Sequence, residues 1–472
     1  MMKNSPELRI QGWSLAKITA AMGGICQNSQ ECRVRAVSTD TRNLGQQELF
    51  VALEGENFDA HDFVAQAAQA GAAAAVVHRP VESPAGFPII LVDDTLEALS
   101  ALGHALWQEA SEGGLHTIAV TGSNGKTTTK EILASLWGSF GVVHATAGNL
   151  NNHIGVPLTL CALPARCDHL IVEMGANGAR EISALIAFAP AGERIITSIG
   201  AAHLEGFGSI DGVRRAKAEI FEHSESSTAA IVPFGERANL IPESFPGTVW
   251  TVGTEEGARV RITGMTPDPE RGVLVTLQVD SRKWSLSLPV PGVHNAINLG
   301  SAFATLLAHG LDPQDIRLGE ALAGLSLPQG RWREVQVGAF SIIDDAYNAN
   351  PSSVRASLEA FLELQYEGSR YVVLGEMREL GADAERLHEE LARDVAGKTS
   401  IDGFAILGSH ARAMARAACD ASPSLDVEAF DDIDDLVSWL EARQRGLVFL
   451  KASRGSRLER IITRLEERYS RS

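Results

Sequence analysis

The chain has 472 residues, 45% of them hydrophobic and 21% charged, with a formal net charge of −18. That length allows about three domains with buried cores, and the acidity excludes broad nonspecific nucleic-acid binding, which needs a basic surface. The cysteines Cys26, Cys32, Cys161, Cys167 and Cys419 form no ligand-like cluster, no apolar run is long enough to span a bilayer, and the start MMKNSPELRIQGWSL lacks a signal-peptide core; a reducing cytoplasm without membrane insertion is expected.

Up to about Ser111, short strands alternate with Ala-rich helices. ELFVAL (48–53) reads as a strand, DAHDFVAQAAQAGA (59–72) as a helix and AAVVH (74–78) as the next strand. EASEGGLH (109–116) has the composition of a linker. TIAVT (117–121) then leads through a glycine loop into the helix KTTTKEILASLW (126–137). The runs HLIVEM, RIITSI and AAIVPF follow as buried strands, with AREISALIAFA and GVRRAKAEIFEH as helices between them. Such alternation implies a parallel sheet covered on both faces. After Gly247 the pattern turns to β-rich hairpins, RGVLVTLQVDSRKWSLSLPV (271–290), before the helix NAINLGSAFATLLAHG (295–310). Beyond LSLPQGRW (325–332), the runs FSIIDD, SRYVVLG, GFAILG and GLVFLK are strands, each followed by a helical pattern. The fold class is α/β with three domains, at 1–111, 112–327 and 328–472.

The loop TGSNGKT (121–127) carries the clearest chemistry. The common phosphate loop, G-x-x-x-x-G-K-[ST], has a glycine where this chain has Val120, so the loop is a shorter variant. Gly122 and Gly125 let backbone approach phosphate oxygens, and the helix N-terminus offers unpaired N–H groups and a partial positive charge. Lys126 can reach terminal phosphates and the Thr127 hydroxyl can hold Mg²⁺. An ordinary glycine turn is the alternative, and the strand-to-helix context argues against it.

T-G-S/T-N-G-K-T resembles the ATP loop of the Mur ligases and of their relatives the folylpolyglutamate synthases, ATP-dependent enzymes that join a carboxylate to an amino group. The stretch from Ser38 to Val77 resembles the N-terminal uridine-nucleotide module of the Mur ligases. GNLNNHIGVPLTL, EMGANGAREI, HLEGFGSIDGV and DDAYNANPSSV resemble their later signatures, in order and over essentially the whole chain. Within the family, the match is to the type that adds D-alanyl-D-alanine to a UDP-N-acetylmuramoyl tripeptide ending in lysine or diaminopimelate. The implied architecture is a uridine-nucleotide-binding α/β module, a P-loop-type ATPase domain with a parallel sheet and a β-rich extension, and a Rossmann-like C-terminal domain.

The resemblance also implies site residues. ATP would contact Gly122, Ser123, Asn124, Gly125, Lys126, Thr127 and Thr128, with Asn295 on adenine; His294 and Asn298 fit capping or packing equally well. Arg331, with Arg333 as its competitor, would compensate phosphate charge, and Asp345 would bond the ribose. Two Mg²⁺ ions are implied, held by Thr127, Glu173, His203 and Lys217, the last carbamylated by CO₂. Lys126, Glu173, His203, Lys217 and Arg331 form the implied catalytic set. Substrate would meet Ser38, Thr39, Asp40, Thr41, Arg42, Asn149 and Asn152, with Tyr347, Asn348 and Asn350 facing the dipeptide. KASRGSRLER (451–460) is either a solvated basic face or a segment near substrate.

The expected partners are these small molecules, with no nucleic acid and a monomer by default; closure of the third domain would complete the site. A ligase adding one amino acid is the nearest rival. The N-terminal module argues against the folate enzyme. A nonenzymatic P-loop switch or scaffold, or a kinase, would leave Glu173, His203, Lys217 and the third-domain motifs unexplained.

Overall fold

Runs such as Ile118–Val120 and Leu170–Val172 are apolar at successive positions, so they can be buried on both faces only inside a sheet covered by helices on each side. The computed structural model, which describes residues 6–28, 32–55, 58–268, 272–313 and 318–470, has this arrangement. In the strand His116–Thr121, Ile118 and Val120 face one core and Ala119 the other. The parallel neighbours of this strand are His169–Glu173 and Glu193–Ile196.

The predicted parallel sheet and the predicted β-rich extension are one nine-stranded sheet. Parallel pairing runs from Val143–Ala145 at one edge through to Val260–Asp268, and the last strands, Gly272–Val279 and Arg282–Leu288, turn antiparallel. Arg271, at the head of the predicted hairpin, lies outside the described residues. The helices Lys126–Trp137 and Val293–Ala308 lie on one face, where the Trp137 indole donates to Thr305 Oγ1 at 2.9 Å.

The N-terminal sheet has five strands in the order Ile25–Gln27, Ile89–Leu91, Ala74–Val77, Leu49–Val51 and Val37–Ser38, with only the first antiparallel. The segment read as a linker at 109–116 is mostly ordered element. The helix Thr95–Glu112 runs through its first half, and His116 already begins a strand. That helix packs on Gly155–Cys161, so its apolar face holds the two units together in place of a free connection. The helix predicted over 59–72 opens as a 3₁₀ turn, Ala60–Phe63, because Asp59 caps the His61 N–H before the α-helix Val64–Gln69.

The C-terminal sheet has six strands. Phe340–Asp344, Gly446–Lys451, Arg370–Leu374, Gly403–Leu407 and Asp426–Phe430 are parallel, and Arg333–Val337 is an antiparallel edge. Its helix Pro351–Glu363 begins with an Asn350–Ser353 capping box, which satisfies N–H groups at the helix start. Among the described residues, no helix is long and apolar enough to cross a membrane.

Candidate active site

A parallel sheet collects its loops at the C-terminal ends of its strands, which is where ligands of such folds sit. Here the loop after Thr121 is shaped by two glycines. Gly122 has φ +145°, and a Cβ there would meet Thr197 Oγ1 at 2.1 Å; Gly125 has φ +81°, and a Cβ would meet Asn298 Oδ1 at 2.5 Å. Both positions therefore exclude side chains, and the loop sits against Ser198, whose Oγ accepts from the Asn124 N–H at 2.9 Å. The helix Lys126–Trp137 starts directly behind it.

Lys126 folds back to donate to the Gly122 carbonyl at 2.8 Å. Burial pulls its amine below the usual lysine range; Glu173 opposes this and the Arg331 charge adds to it. Thr127 Oγ1 donates to Glu173 Oε2 at 2.8 Å and accepts from Arg331 Nη2 at 2.9 Å. Glu173 ends a buried strand, and its second oxygen accepts from the Asn151 amide at 2.8 Å. The Arg331 guanidinium lies 4.2 Å from the centroid of the Tyr347 ring, and its Nε is buried without a partner. Arg333, by contrast, is exposed at the start of the edge strand.

These groups line one cavity of about 510 Å³ whose wall comes from both the central and the C-terminal sheets. Asn124 ties the two. Its amide donates to Ser352 Oγ at 3.0 Å, and its Oδ1 accepts from Asn350 Nδ2 at 2.7 Å. At one end of the cavity, Asn295 bonds back to the Pro291 carbonyl at 2.7 Å, and burial pushes the neighbouring His294 down to about 4. Asp345 pairs with Lys451, and its Oδ1 accepts from the Trp332 N–H at 3.2 Å. Ser123, Thr128, Asn149, Asn152, Tyr347 and Asn348 also face this space. Asn152 Oδ1 also accepts from the Gly155 N–H at 2.9 Å, just before the helix Gly155–Cys161.

His203 lines the cavity in a left-handed conformation, φ +52°, with Nδ1 2.5 Å from Glu379 of the C-terminal sheet region. Lys217 stands just behind the wall. It is 1% exposed, with Nζ 3.5 Å from the carbonyl of the lining residue Ala176. Burial, followed by the charge of Lys126, pushes its amine down to about 7. The Ser38–Arg42 segment lies apart from this cavity, in the N-terminal unit. There Asp40 accepts from the Arg42 N–H at 2.9 Å and pairs with its guanidinium, which holds the carboxyl down at about 2. Of the 451–460 cations, Lys451 enters the cavity, while Arg454 pairs with Glu459.

Sequence reasoning missed Asn151, Ser198, Ser352 and Glu379. Asn151 lies inside GNLNNHIGVPLTL, between Asn149 and Asn152, and only the direction of its side chain, toward Glu173, distinguishes it. Thr127 and Glu173 put a hydroxyl and a carboxylate oxygen side by side, the hard oxygen donors that suit Mg²⁺.

A glycine cradle on a parallel sheet, with a carboxylate beneath it and an arginine supplied by a second α/β unit, defines a nucleotide-dependent α/β enzyme. Three family descriptions match the chain: Mur ligase family, catalytic domain, over residues 33–106; Mur ligase middle domain over 120–306; and Mur ligase, glutamate ligase domain, over 330–454. UDP-N-acetylmuramoyl-tripeptide--D-alanyl-D-alanine ligase of Bacillus subtilis is 35% identical, covering 92% of this chain and 93% of that protein. The Escherichia coli protein of the same name is 34% identical over 96% and 98%. A crystal structure of MurF from Acinetobacter baumannii superposes with a TM-score of 0.86 at 31% identity, covering 98% of this chain and 100% of that one. The chain belongs to the Mur ligase family.

The position of Lys217 makes stability depend on pH. Its amine titrates near 7 when folded and near 10.5 when free, so between these values the unfolded chain binds more protons and stability rises with pH. The burden is complete below about pH 7 and absent above about pH 10.5. In urea unfolding of wild type against Lys217→Met, the difference should favour the variant at neutral pH and close as pH rises through that window. A difference independent of pH would contradict the buried neutral amine.

Proposed function

We propose that this protein is an ATP-dependent amide ligase that adds D-alanyl-D-alanine to UDP-N-acetylmuramoyl-tripeptide, giving the pentapeptide, ADP and phosphate for peptidoglycan precursor synthesis. The observation that carries this reading is that relatives bearing this activity in their names align over nine-tenths or more of the chain. The phosphate cradle and its second-unit arginine support it, as does the fold shared with a MurF ligase of Thermotoga maritima in complex with ADP, with a TM-score of 0.80 at 26% identity, covering 93% of this chain and 99% of that one.

A carboxylate is a poor electrophile, so the acceptor's terminal carboxylate takes the γ-phosphoryl group, forming an acyl phosphate and releasing ADP. The dipeptide amine then attacks the acyl carbon and phosphate leaves. In this scheme the residues 122–127 hold the phosphates, Lys126 and Arg331 neutralise charge developing on the transferred group, and Asn295 and Asp345 hold adenine and ribose. Most of the acceleration is positioning and charge stabilisation. Thr127 and Glu173 would hold Mg²⁺, with His203 and a carbamylated Lys217 serving a second ion; Mg²⁺ supplies charge neutralisation on the phosphates. Ser38–Arg42, Asn149 and Asn152 bind the UDP-linked substrate, and Tyr347, Asn348 and Asn350 face the dipeptide. We take the units 1–111, 112–327 and 328–472 as domains whose closure assembles the site, and the protein as a cytoplasmic monomer.

Phosphate release from ATP with UDP-N-acetylmuramoyl-tripeptide should require D-alanyl-D-alanine, with the pentapeptide identified by mass. Lys126→Ala should abolish it. Arg331→Ala should lower kcat by about 10²–10³-fold and Arg333→Ala should leave it near wild type. Release without the dipeptide, or turnover with a single amino acid instead, would overturn the assignment. Carbamylation has its own readout: with ¹³C-bicarbonate, a carbamate carbon signal should appear in wild type and vanish in Lys217→Arg. An unchanged signal in the variant would remove Lys217 from that role.

A further inference from the structure

At the opposite end of the central strands from the phosphate loop, three metal-ligating side chains meet. His116 is the first residue of the strand that leads into the loop, Glu193 is the first residue of the neighbouring strand, and His309 caps the C-terminal end of the helix Val293–Ala308. One Glu193 oxygen contacts His116 Nε2, and the other lies 3.2 Å from His309 Nδ1. One ligand atom from each lies within 4.8 Å of the others. The Glu193 side chain is only 6% exposed, whereas that of His309 is 39% exposed and opens the cluster to solvent.

Aromatic packing fixes the rings. His116 lies 4.7 Å from Trp137 and 4.1 Å from His309, and His169 approaches it edge-on at 5.7 Å. Nearby nitrogens are also unused: His116 Nδ1 and both ring nitrogens of His169 are buried without a hydrogen-bond partner. Two imidazoles and a carboxylate, with one side open, form a donor set that suits zinc-class ions with a free coordination position. The imidazole nitrogens disfavour Mg²⁺, which prefers oxygen. The strand from His116 to Thr121 separates this cluster from the nucleotide cavity by roughly 17 Å.

We propose that His116, Glu193 and His309 form a binding site for a divalent transition metal of the zinc class, separate from the nucleotide cavity. Such an ion would clamp together the strand that carries the phosphate loop and the helix that carries Asn295, so its role is to stiffen the scaffold of the site. The alternative is a metal-free carboxylate held between two imidazoles, and the two differ in whether the cluster takes up an ion.

The test uses the full chain, stripped with a chelator and kept in excess Mg²⁺, and titrates it with Co²⁺ as an optical probe at mildly alkaline pH, because metal ligands bind in their deprotonated form. Wild type should take up one equivalent, with the visible absorption of a four- or five-coordinate site, and Zn²⁺ should displace it. His309→Ala and Glu193→Gln should lose that equivalent, while Lys126→Ala keeps it. His309 is at the surface, so His309→Ala decides the matter once circular dichroism shows it folded. No uptake by wild type, or equal uptake by folded His309→Ala, overturns the proposal.

Discussion

The structure turns on one hydroxyl. Thr127 Oγ1 donates to Glu173 and accepts from Arg331, so a single atom connects the first turn of the loop helix, the end of a buried strand and the C-terminal unit. Glu173 is 2% exposed, and a carboxylate so deeply buried must have its oxygens occupied. Thr127 and Asn151 occupy them. Arg331 is held in turn over Tyr347, whose N–H donates to the Gly330 carbonyl at 2.9 Å. The positions of the loop, the strand end and the second sheet therefore depend on one another.

The same constraint explains how a chain of net charge −18 can receive anions. Lys126, Arg331 and Lys451 all face the cavity, while many other cations lie in exposed pairs such as Arg386–Glu390 and Arg393–Glu389. Local arrangement in a partly enclosed cleft, rather than total charge, sets the field that a polyphosphate meets. Burial acts in the opposite sense at Lys217, where it lowers the amine to about 7 and so removes positive charge from behind the cavity wall.

What was legible in the sequence was local. The strand–glycine loop–helix could be read because its glycines, lysine and threonine lie within a few residues of one another, and the central strands because both faces are apolar. The short edge strands Ile25–Gln27, Val143–Ala145 and Arg333–Val337 escaped, since a half-exposed strand of three to five residues carries little pattern. The resemblance put Arg331 ahead of Arg333, and what separates the two physically lies in the backbone. Trp332 between them has φ +54°, and only the first arginine faces the loop. The pairing of His203 with Glu379 and the meeting of His116, Glu193 and His309 join residues far apart in sequence, and only the folded chain brings them together.

The central claim is that the acceptor carboxylate is activated by phosphorylation in the cavity where the loop and Arg331 converge. Isotope transfer tests it most directly. UDP-N-acetylmuramoyl-tripeptide labelled with ¹⁸O in its terminal carboxylate, turned over with ATP and D-alanyl-D-alanine, should deliver one labelled oxygen to the released phosphate, as an acyl phosphate requires. Unlabelled phosphate accompanying pentapeptide formation would mean that the carboxylate is activated by another route, and the chemistry assigned to this site would be wrong.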